Sequence, residues 1–319
     1  MLITDSSEGL IHIGHLLPSF EQRLAKMVTK DAVVVEPDEV HLELTTQQAK
    51  QRDLPVISAL MENNLARKGV WANDPDRKTM EYRYQTEDVI GSLTVEYSLG
   101  QLSVFEMELV AWVLGRWSPT SQKLRFSLRE CSRDFETAWS GQRGEFLKQA
   151  LRRVAGTRFT GKVWYAASKK HVTTHFGIFD TVEIVERRDQ AEGPSIEPGT
   201  VAITLSSFLV EQLTAQQFVR LDWSVLRGAL KAPLARRLYV FLESQRGFKD
   251  GTFYEITIDN QLMETLGSKD KANPRRFRGK LTKAGQEIVA ADARYDAVVI
   301  RAGTSRSKGY ILQVRRRAA

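Results

Sequence analysis

Residues 253–317 read FYEITIDNQLMETLGSKDKANPRRFRGKLTKAGQEIVAADARYDAVVIRAGTSRSKGYILQVRRR. The first six of them alternate in polarity and are rich in β-formers, which predicts a strand. Asp259 is placed to cap a short helix, and Asn273 followed by Pro274 is a typical start of a second, longer helix. Two β-rich runs around a tip of Gly and Ser then predict a hairpin. This order of elements indicates a winged helix, a helix-turn-helix motif with a β-hairpin appended.

The longer helix of this segment has an apolar side and a cationic side. At about 100° per residue, the apolar residues between Phe277 and Ile288 share one face, which we expect to be buried. The opposite side carries Arg276, Lys280 and Lys283, flanked by Arg275 and Arg278. The hairpin and the last strand add Arg301, Arg306, Lys308, Arg315 and Arg316. A helix with these two sides fits the major groove, so these cations are the predicted DNA contacts.

The cationic residues are compatible with two roles besides DNA binding. A basic run is most often a solvated face that binds nothing, and it can also bind an acidic protein partner. DNA is favoured because the charges fall on the two elements of a winged helix that usually face DNA.

Length and composition indicate a globular protein with an anionic partner. The 319 residues suffice for two ordinary domains, with 42% hydrophobic and 27% charged residues. The net charge of +7 favours nucleic acid over a membrane surface, because no basic amphipathic helix stands apart from the globular pattern. The single cysteine, Cys131, excludes an internal disulfide and a cysteine-based zinc site. Neither a secretion signal nor an apolar run of ~20 residues is found, so we expect a cytoplasmic protein associated with the nucleoid or a plasmid.

The plan of residues 253–317 is repeated upstream. A helix capped by Ser103 is followed by a strand, a short helix, a longer helix over 142–155, and a hairpin of 159–166 and 172–185. Equivalent apolar positions lie about 131 residues apart. The pairs are Phe126 and Ile256, Phe135 and Leu266, and Phe146 and Phe277. The sequence therefore predicts an α+β protein with two tandem winged-helix domains.

Composition and the repeat give the predicted domain limits. They are an N-terminal extension of unassigned role at 1–78, a first winged helix at 79–188, a linker at 189–199 and a second winged helix at 200–319. In the first copy an acid, Glu145, dilutes the cations Lys148 and Arg152 on the outer face of the longer helix. We therefore expect the second copy to be the main DNA reader, and the first to bind DNA more weakly or to serve as a protein–protein surface.

Three patterns that resemble catalytic motifs are more simply interpreted as ordinary structure. Residues 12–15 spell a signature of class I aminoacyl-tRNA synthetases, but no parallel-sheet pattern or lysine-rich loop follows. Residues 156–163 nearly match a phosphate loop, but a valine replaces the Mg²⁺-binding hydroxyl, and the run follows a helix instead of a strand. His171 and His175 lie ~13 Å apart if they are in a strand, too far to share a metal. The chain also lacks the His-x-His pair of a nickase, so we expect no enzyme activity, metal or cofactor.

Three stretches resemble bacterial replication initiators of the plasmid replication initiator A type, namely 99–109, 126–128 and 140–157. In that family a glycine-led turn precedes the first long helix, and a helix of the form Leu-x-x-Ala-Leu-x-Arg-Leu ends in a turn of small residues. Residues 233–239 are similar to the family's segment that opens the second winged helix. The likeness extends over most of the chain after the predicted N-terminal extension, and it consists of patterns without a catalytic signature.

The resemblance implies a protein that binds directly repeated origin sites, helps to open the duplex and recruits a host helicase or initiator. It also implies homodimers that dissociate to active monomers, with the first domain as the dimer interface. By the same resemblance, DNA reading is assigned to Arg275, Arg276, Arg278, Lys280 and Lys283, with Arg306 and Lys308 in the wing. A winged-helix transcriptional regulator without a replication role is the alternative, and it differs in leaving the A·T-rich duplex beside its sites unmelted.

Overall fold

The computed structural model describes residues 58–75, 82–88, 91–165, 169–185, 199–245, 250–269, 273–303 and 309–318. All of them belong to one unit, Pro55–Ala319. The histidine motif at 12–15 and the predicted DNA contacts Arg306 and Lys308 lie outside the described residues. Among the helices of these ranges, none is long and apolar enough to cross a membrane.

The first winged helix is built around a nearly buried helix that Ser103 caps. Before this helix come β1 (Ser58–Glu62), α1 (Asn63–Arg67), β2 (Tyr82–Asp88) and β3 (Gly91–Tyr97). The helix itself and its successors are α2 (Val104–Leu114), β4 (Lys123–Ser127), α3 (Leu128–Asp134), α4 (Gly141–Ala155), β5 (Thr157–Tyr165) and β6 (Lys170–Gly177). Ser103 and Glu106 form a capping box, which fixes the start of α2 where the sequence predicts it.

The second winged helix repeats this plan after a connecting region. The connecting region consists of β7 (Phe179–Ile184), β8 (Thr200–Leu205), α5 (Ser207–Thr214), β9 (Phe218–Asp222) and a π-helix (Ser224–Ala229). The winged helix consists of α6 (Pro233–Glu243), β10 (Phe253–Ile258), α7 (Asn260–Thr265), α8 (Pro274–Ala291), β11 (Tyr295–Ala302) and β12 (Tyr310–Arg316). Asp259 caps α7 and Asn273 caps α8, each by accepting a hydrogen bond from a backbone N–H of the first turn, as predicted.

Strand pairing departs from the predicted domain limits at two places. Strand β8, which was expected to begin the second domain, lies between β4 and β7 in an antiparallel sheet. Strand β1, from the predicted N-terminal extension, pairs with β9 of the predicted second domain. The predicted limits at 78 and 200 therefore separate strands that pair with each other. The sequence could not show this, because periodicity identifies a strand without identifying its partner.

The predicted hairpin strand over 172–185 is in fact two strands. Strand β6 pairs with β5 in the sheet β2-β3-β5-β6, whereas β7 pairs with β8. The break falls at Gly177 and Ile178, where Ile178 is fully buried. The alternation of polarity is similar on both sides of the break, so the sequence gives no sign of the change of partner.

One continuous core joins the two winged helices. The ring of Phe135, which follows α3, lies 5.0 Å from the ring of Trp223, and the Trp223 indole donates to the Asp134 carbonyl at 3.0 Å. At the end of α7, Gly267 has φ +66, and a Cβ there would lie 2.0 Å from the Trp71 carbonyl oxygen. Only glycine fits this turn, which ends α7 against the backbone of Trp71.

Candidate nucleic-acid interface

Helix α8 is held against the core by its apolar face. Phe277, Leu281 and Ile288 are fully buried, as the sequence predicts. Gly285 lies on the same face and allows close contact with β11, because a Cβ there would lie 2.7 Å from the Val298 side chain. The rotation of α8 about its axis is therefore fixed, and its other side faces solvent.

The solvent side of α8 is strongly cationic. Arg275, Arg276, Lys280 and Lys283 are exposed, and Arg278 is half-buried. The Arg278 guanidinium lies 3.8 Å from the ring centroid of Tyr310, which ties the helix to the hairpin. The single carboxylate of α8, Glu287, accepts hydrogen bonds from the backbone N–H groups of Lys231 and Ala232. This acid is thus directed at the loop before α6, and the cations create a positive surface.

A groove of about 550 Å³ follows this cationic side. Helix α8, the turn before it and the first residues of α6 form its walls. Its charged lining consists of Lys269, Arg276, Lys280, Lys283 and one acid, Asp74. A concave surface with this excess of cations suits the phosphate backbone of a nucleic acid.

The predicted contacts in the hairpin differ in their surroundings. Arg301, in β11, is exposed. Arg315 is paired with Asp296 at 3.0 Å, and Arg316 donates to Glu243 at 2.9 Å. These two arginines therefore stabilise the packing of β12, and their contact with DNA stays a prediction.

Helix α4, the equivalent of α8 in the first winged helix, presents a less cationic face. Lys148 is paired with Glu145 at 2.8 Å, and this hydrogen bond lowers the pKa of the Glu145 carboxyl. Arg152 is exposed, whereas Arg153 is paired at 2.7 Å with the fully buried Glu106. DNA contact by Lys148 and Arg152 stays a prediction.

The buried positions of the two helices give their alignment. Leu147, Ala150, Leu151 and Val154 have the same spacing as Leu281, Ala284, Gly285 and Ile288. The predicted pairing of Phe146 with Phe277 is wrong, because Phe146 is 38% exposed and Phe277 is buried. The offset of about 131 residues does not align these two helices, because the connection before α8 is longer than the one before α4. In the corrected alignment, the positions of Arg276, Lys280 and Lys283 are taken in α4 by Gln142, Phe146 and Gln149.

A buried carboxylate joins the two winged helices. Glu108 of α2 is fully buried and accepts hydrogen bonds from Arg236 at 2.8 Å and from Arg227 at 3.2 Å. Burial raises the pKa of the Glu108 carboxyl, and the two guanidinium groups oppose this effect. The sequence patterns did not single out Glu108. The composition of α2 could have indicated it. This helix is apolar on all sides and is therefore expected to be buried, so its two glutamates need hydrogen-bonding partners.

Two of the patterns that resemble catalytic sites, the run at 156–163 and the pair His171 and His175, lie within the described residues and form ordinary structure. Gly156 follows α4 and precedes β5, so this run has the reverse of the strand-then-helix order of a phosphate loop. His175 forms a hydrogen bond of 2.7 Å with Thr160, and His171 packs on Trp164. Across the described ranges, no group of three His, Cys, Asp or Glu side chains is placed to hold a metal ion.

Comparison with known proteins identifies the family. The model of the family described as replication initiator protein A matches residues 63–294. The chain belongs to this family. The resemblance seen in the sequence is thereby confirmed. Among curated proteins, none matches the chain.

Two solved structures share the fold. Domains 2 and 3 of RctB match with a TM-score of 0.51 at 13% sequence identity, over 81% of this chain and 99% of that one. The Pi initiator protein in complex with iteron DNA matches with a TM-score of 0.52 at 12% identity, over 82% of this chain and 97% of that one. At such identities the similarity concerns the fold, and it confirms the predicted α+β, winged-helix architecture.

Proposed function

We propose that this protein is a replication initiator that binds repeated double-stranded DNA sites at an origin with sequence specificity. The observation that carries the proposal is the exposed cationic side of α8, whose opposite side is buried in the core. The family supports the role in replication. The fold shared with the Pi initiator, which was solved with iteron DNA, supports duplex DNA as the partner.

Recognition by α8 divides between bases and phosphates. Arg275 and Arg276 lie in the N-terminal turn, the part of a recognition helix that usually reaches base edges. A guanidinium can bind guanine through two hydrogen bonds, so we assign Arg276 to a guanine. Lys280 and Lys283 line the groove along α8 and are assigned to phosphates, which carry affinity without sequence information.

Further contacts extend this interface. In the wing we assign phosphate contacts to Arg301, Arg306 and Lys308. Lys148 and Arg152 of α4 are assigned weaker contacts, because Glu145 is paired with Lys148. Arg315 and Arg316 already have carboxylate partners, so we expect them to add mainly long-range attraction.

The later steps of initiation belong to the same proposal. Copies bound at repeated sites open the adjacent A·T-rich duplex and recruit a host helicase or initiator in the bacterial cytoplasm. We also propose a homodimer formed through the first winged helix, which dissociates to the DNA-binding monomer. A winged-helix transcriptional regulator is the alternative, since the same cationic helix serves it equally well.

Fluorescence anisotropy across a salt series tests duplex recognition. The probes are duplexes from the intergenic repeats of the protein's own replicon and shuffled duplexes of the same composition. We expect the repeats to be preferred by ~10³-fold or more. Equal and weak binding to both probes would contradict the proposal and would point to an acidic protein partner.

Permanganate footprinting separates an initiator from a regulator. An initiator makes the thymines of an A·T-rich duplex beside the repeats reactive at saturating protein. Unreactive thymines, together with tight and specific binding, would favour the regulator. Sedimentation velocity with and without the repeat duplex then measures the proposed change from dimer to monomer.

A further inference from the structure

Strand β9 forms a two-stranded sheet with β1 and leaves its other edge open. The Asn63 N–H donates to the Gln217 carbonyl at 3.1 Å, and these two residues continue the register of the two strands. In an antiparallel pair, residues that exchange hydrogen bonds alternate with residues whose backbone groups point away from the partner strand. The N–H and C=O groups of Phe218 and Arg220 therefore point away from β1. Within the described ranges, none of these four groups has a hydrogen-bonding partner.

A groove of about 560 Å³ adjoins this open edge. Residues 215–220 line one side of it, and Glu243 and Ser244, at the C-terminal end of α6, line the other. At the far end of β9, the Tyr239 hydroxyl forms a hydrogen bond with the backbone of Asp222 and closes the edge there. The two outward-pointing residues before it stay open, and a strand placed ~4.8 Å away in the groove can form hydrogen bonds with both of them.

The charges of this groove do not suit a nucleic acid. Its charged lining consists of Arg220 and Glu243. Glu243 is neutralised by Arg316 at 2.9 Å and by Arg294 at 3.4 Å. Arg220 is exposed, and across the part of the chain that the structure describes it has no carboxylate partner. One unpaired cation is too little for a phosphate backbone, but it suffices for a single carboxylate.

Two neighbouring side chains of β9 give the edge its selectivity. Phe218 and Arg220 lie two residues apart on one face of the strand, with the guanidinium 6.0 Å from the ring centroid. Phe218 is half-buried, so part of its ring is open to a neighbouring strand. Opposite charges, and an aromatic ring beside a β-branched or aromatic residue, are favourable cross-strand pairs. A strand that fits this edge therefore carries Asp or Glu opposite Arg220 and a β-branched or aromatic residue opposite Phe218.

We propose that the open edge of β9 docks an extended segment of a partner protein, in which an acidic residue and a β-branched or aromatic residue stand two positions apart. The segment adds a third strand to the sheet of β1 and β9, so hydrogen bonds of the main chain hold it and the two side chains select it. The groove shares no lining residue with the groove along α8, and the inference holds whether or not α8 binds DNA. The competing occupants of the edge are water alone and a second copy of this chain.

Selection from a phage-displayed library of random peptides tests this docking with the full-length protein. An excess of shuffled duplex DNA occupies the cations of α8 during the selection, because acidic peptides are also attracted to them. We expect the enriched peptides to share an acidic residue two positions from a β-branched or aromatic one. Enrichment of no peptide, or of peptides without this pattern, overturns the inference.

A matched pair of variants separates the main chain of the edge from its side chain. Arg220→Ala removes the side chain alone, and we expect it to weaken binding of the enriched peptide up to about fivefold. Arg220→Pro also removes the N–H that points into the groove, at a place where an edge strand accepts proline, and we expect a further loss of about tenfold. Lys280→Ala is the control for attraction to α8 and should bind the peptide as the wild type does. Equal binding by Arg220→Ala and Arg220→Pro overturns the inference.

Hydrogen exchange followed by NMR tests the same contact in the wild type, where no variant has to fold. The bound peptide should slow exchange of the Phe218 and Arg220 amides, whereas the Val219 amide, which points toward β1, is the internal reference. Unchanged exchange at Phe218 and Arg220 overturns the inference and leaves the edge to water. Exchange that slows with increasing concentration of the protein alone assigns the edge to a second copy and also overturns it.

Discussion

Helices α4 and α8 have the same spacing of buried residues and different outward chemistry. Leu147 to Val154 in α4 and Leu281 to Ile288 in α8 face the core in equivalent positions. On the outside, α8 presents arginine and lysine, whereas α4 presents glutamine and phenylalanine. The winged-helix fold thus constrains the residues on the side of α4 and α8 that packs against the core. The residues on the exposed side are not constrained by the fold and can differ between the two copies.

The two helices also use their acids differently. Glu287 of α8 accepts hydrogen bonds from backbone N–H groups in the loop before α6. Glu145 of α4 is paired with Lys148 on the outside of its helix. We therefore expect α8 to supply most of the affinity for DNA.

The largest effect expected from this comparison concerns stability. Phe277→Ala removes a fully buried ring from α8 and should lower the free energy of unfolding by about 4 kcal/mol. Phe146→Ala in α4 removes a ring that is 38% exposed, and we expect a loss of about 1 kcal/mol or less. Urea denaturation followed by circular dichroism measures both. Equal losses would show that the two helices have been aligned wrongly.

A second test concerns the ion pairs that join the two winged helices. Glu108→Ala leaves Arg227 and Arg236 without their buried carboxylate and should lower the free energy of unfolding by about 3 kcal/mol. Glu145→Ala removes an ion pair at the surface and is the matched control, for which we expect no measurable change. A small effect of Glu108→Ala in urea denaturation would mean that the ion pairs do not fasten the winged helices to each other.

Local patterns were enough to predict most elements of the fold. The caps at Ser103, Asp259 and Asn273 and the buried face of α8 depend on residues close together in the sequence, and all were identified. Strand partners are long-range, so the sharing of β8 and β1 across the predicted limits was missed. The pairing of Glu108 with two distant arginines was missed for the same reason.

For the candidate site, sequence patterns identified the cationic residues but not the carboxylates that pair with some of them. The exposed cations of α8 were predicted from helical periodicity alone. The carboxylate partners of Arg315 and Arg316 lie on other elements, which periodicity cannot bring together. The positions in α4 that correspond to Arg276, Lys280 and Lys283 were also missed, because only the alignment of the buried faces reveals them.

A third test concerns affinity for DNA. Arg276→Ala should weaken binding to the preferred duplex by about 1–3 kcal/mol, whereas Lys283→Ala should weaken binding to all duplexes alike. Both should leave the free energy of unfolding unchanged, because both side chains are exposed. Anisotropy titrations give the first quantity and urea denaturation the second. Loss of stability in step with loss of binding would place these residues in the core and would contradict the orientation of α8.

The smallest effect is a change of salt dependence, and it separates the two helices most directly. A lysine that neutralises one phosphate contributes roughly 0.9 to the slope of log affinity against log salt, so Lys280→Ala should lower the slope by about that amount. Phe146→Ala, at the equivalent position of α4, removes no positive charge, so the number of counterions released on DNA binding should not change. The slope should therefore stay the same, even where the substitution lowers affinity. Anisotropy between roughly 50 and 200 mM salt resolves this difference. A reduced slope for Phe146→Ala would mean that its ring holds a cation, such as Arg143, in contact with a phosphate, and α4 would then share the electrostatic task of α8.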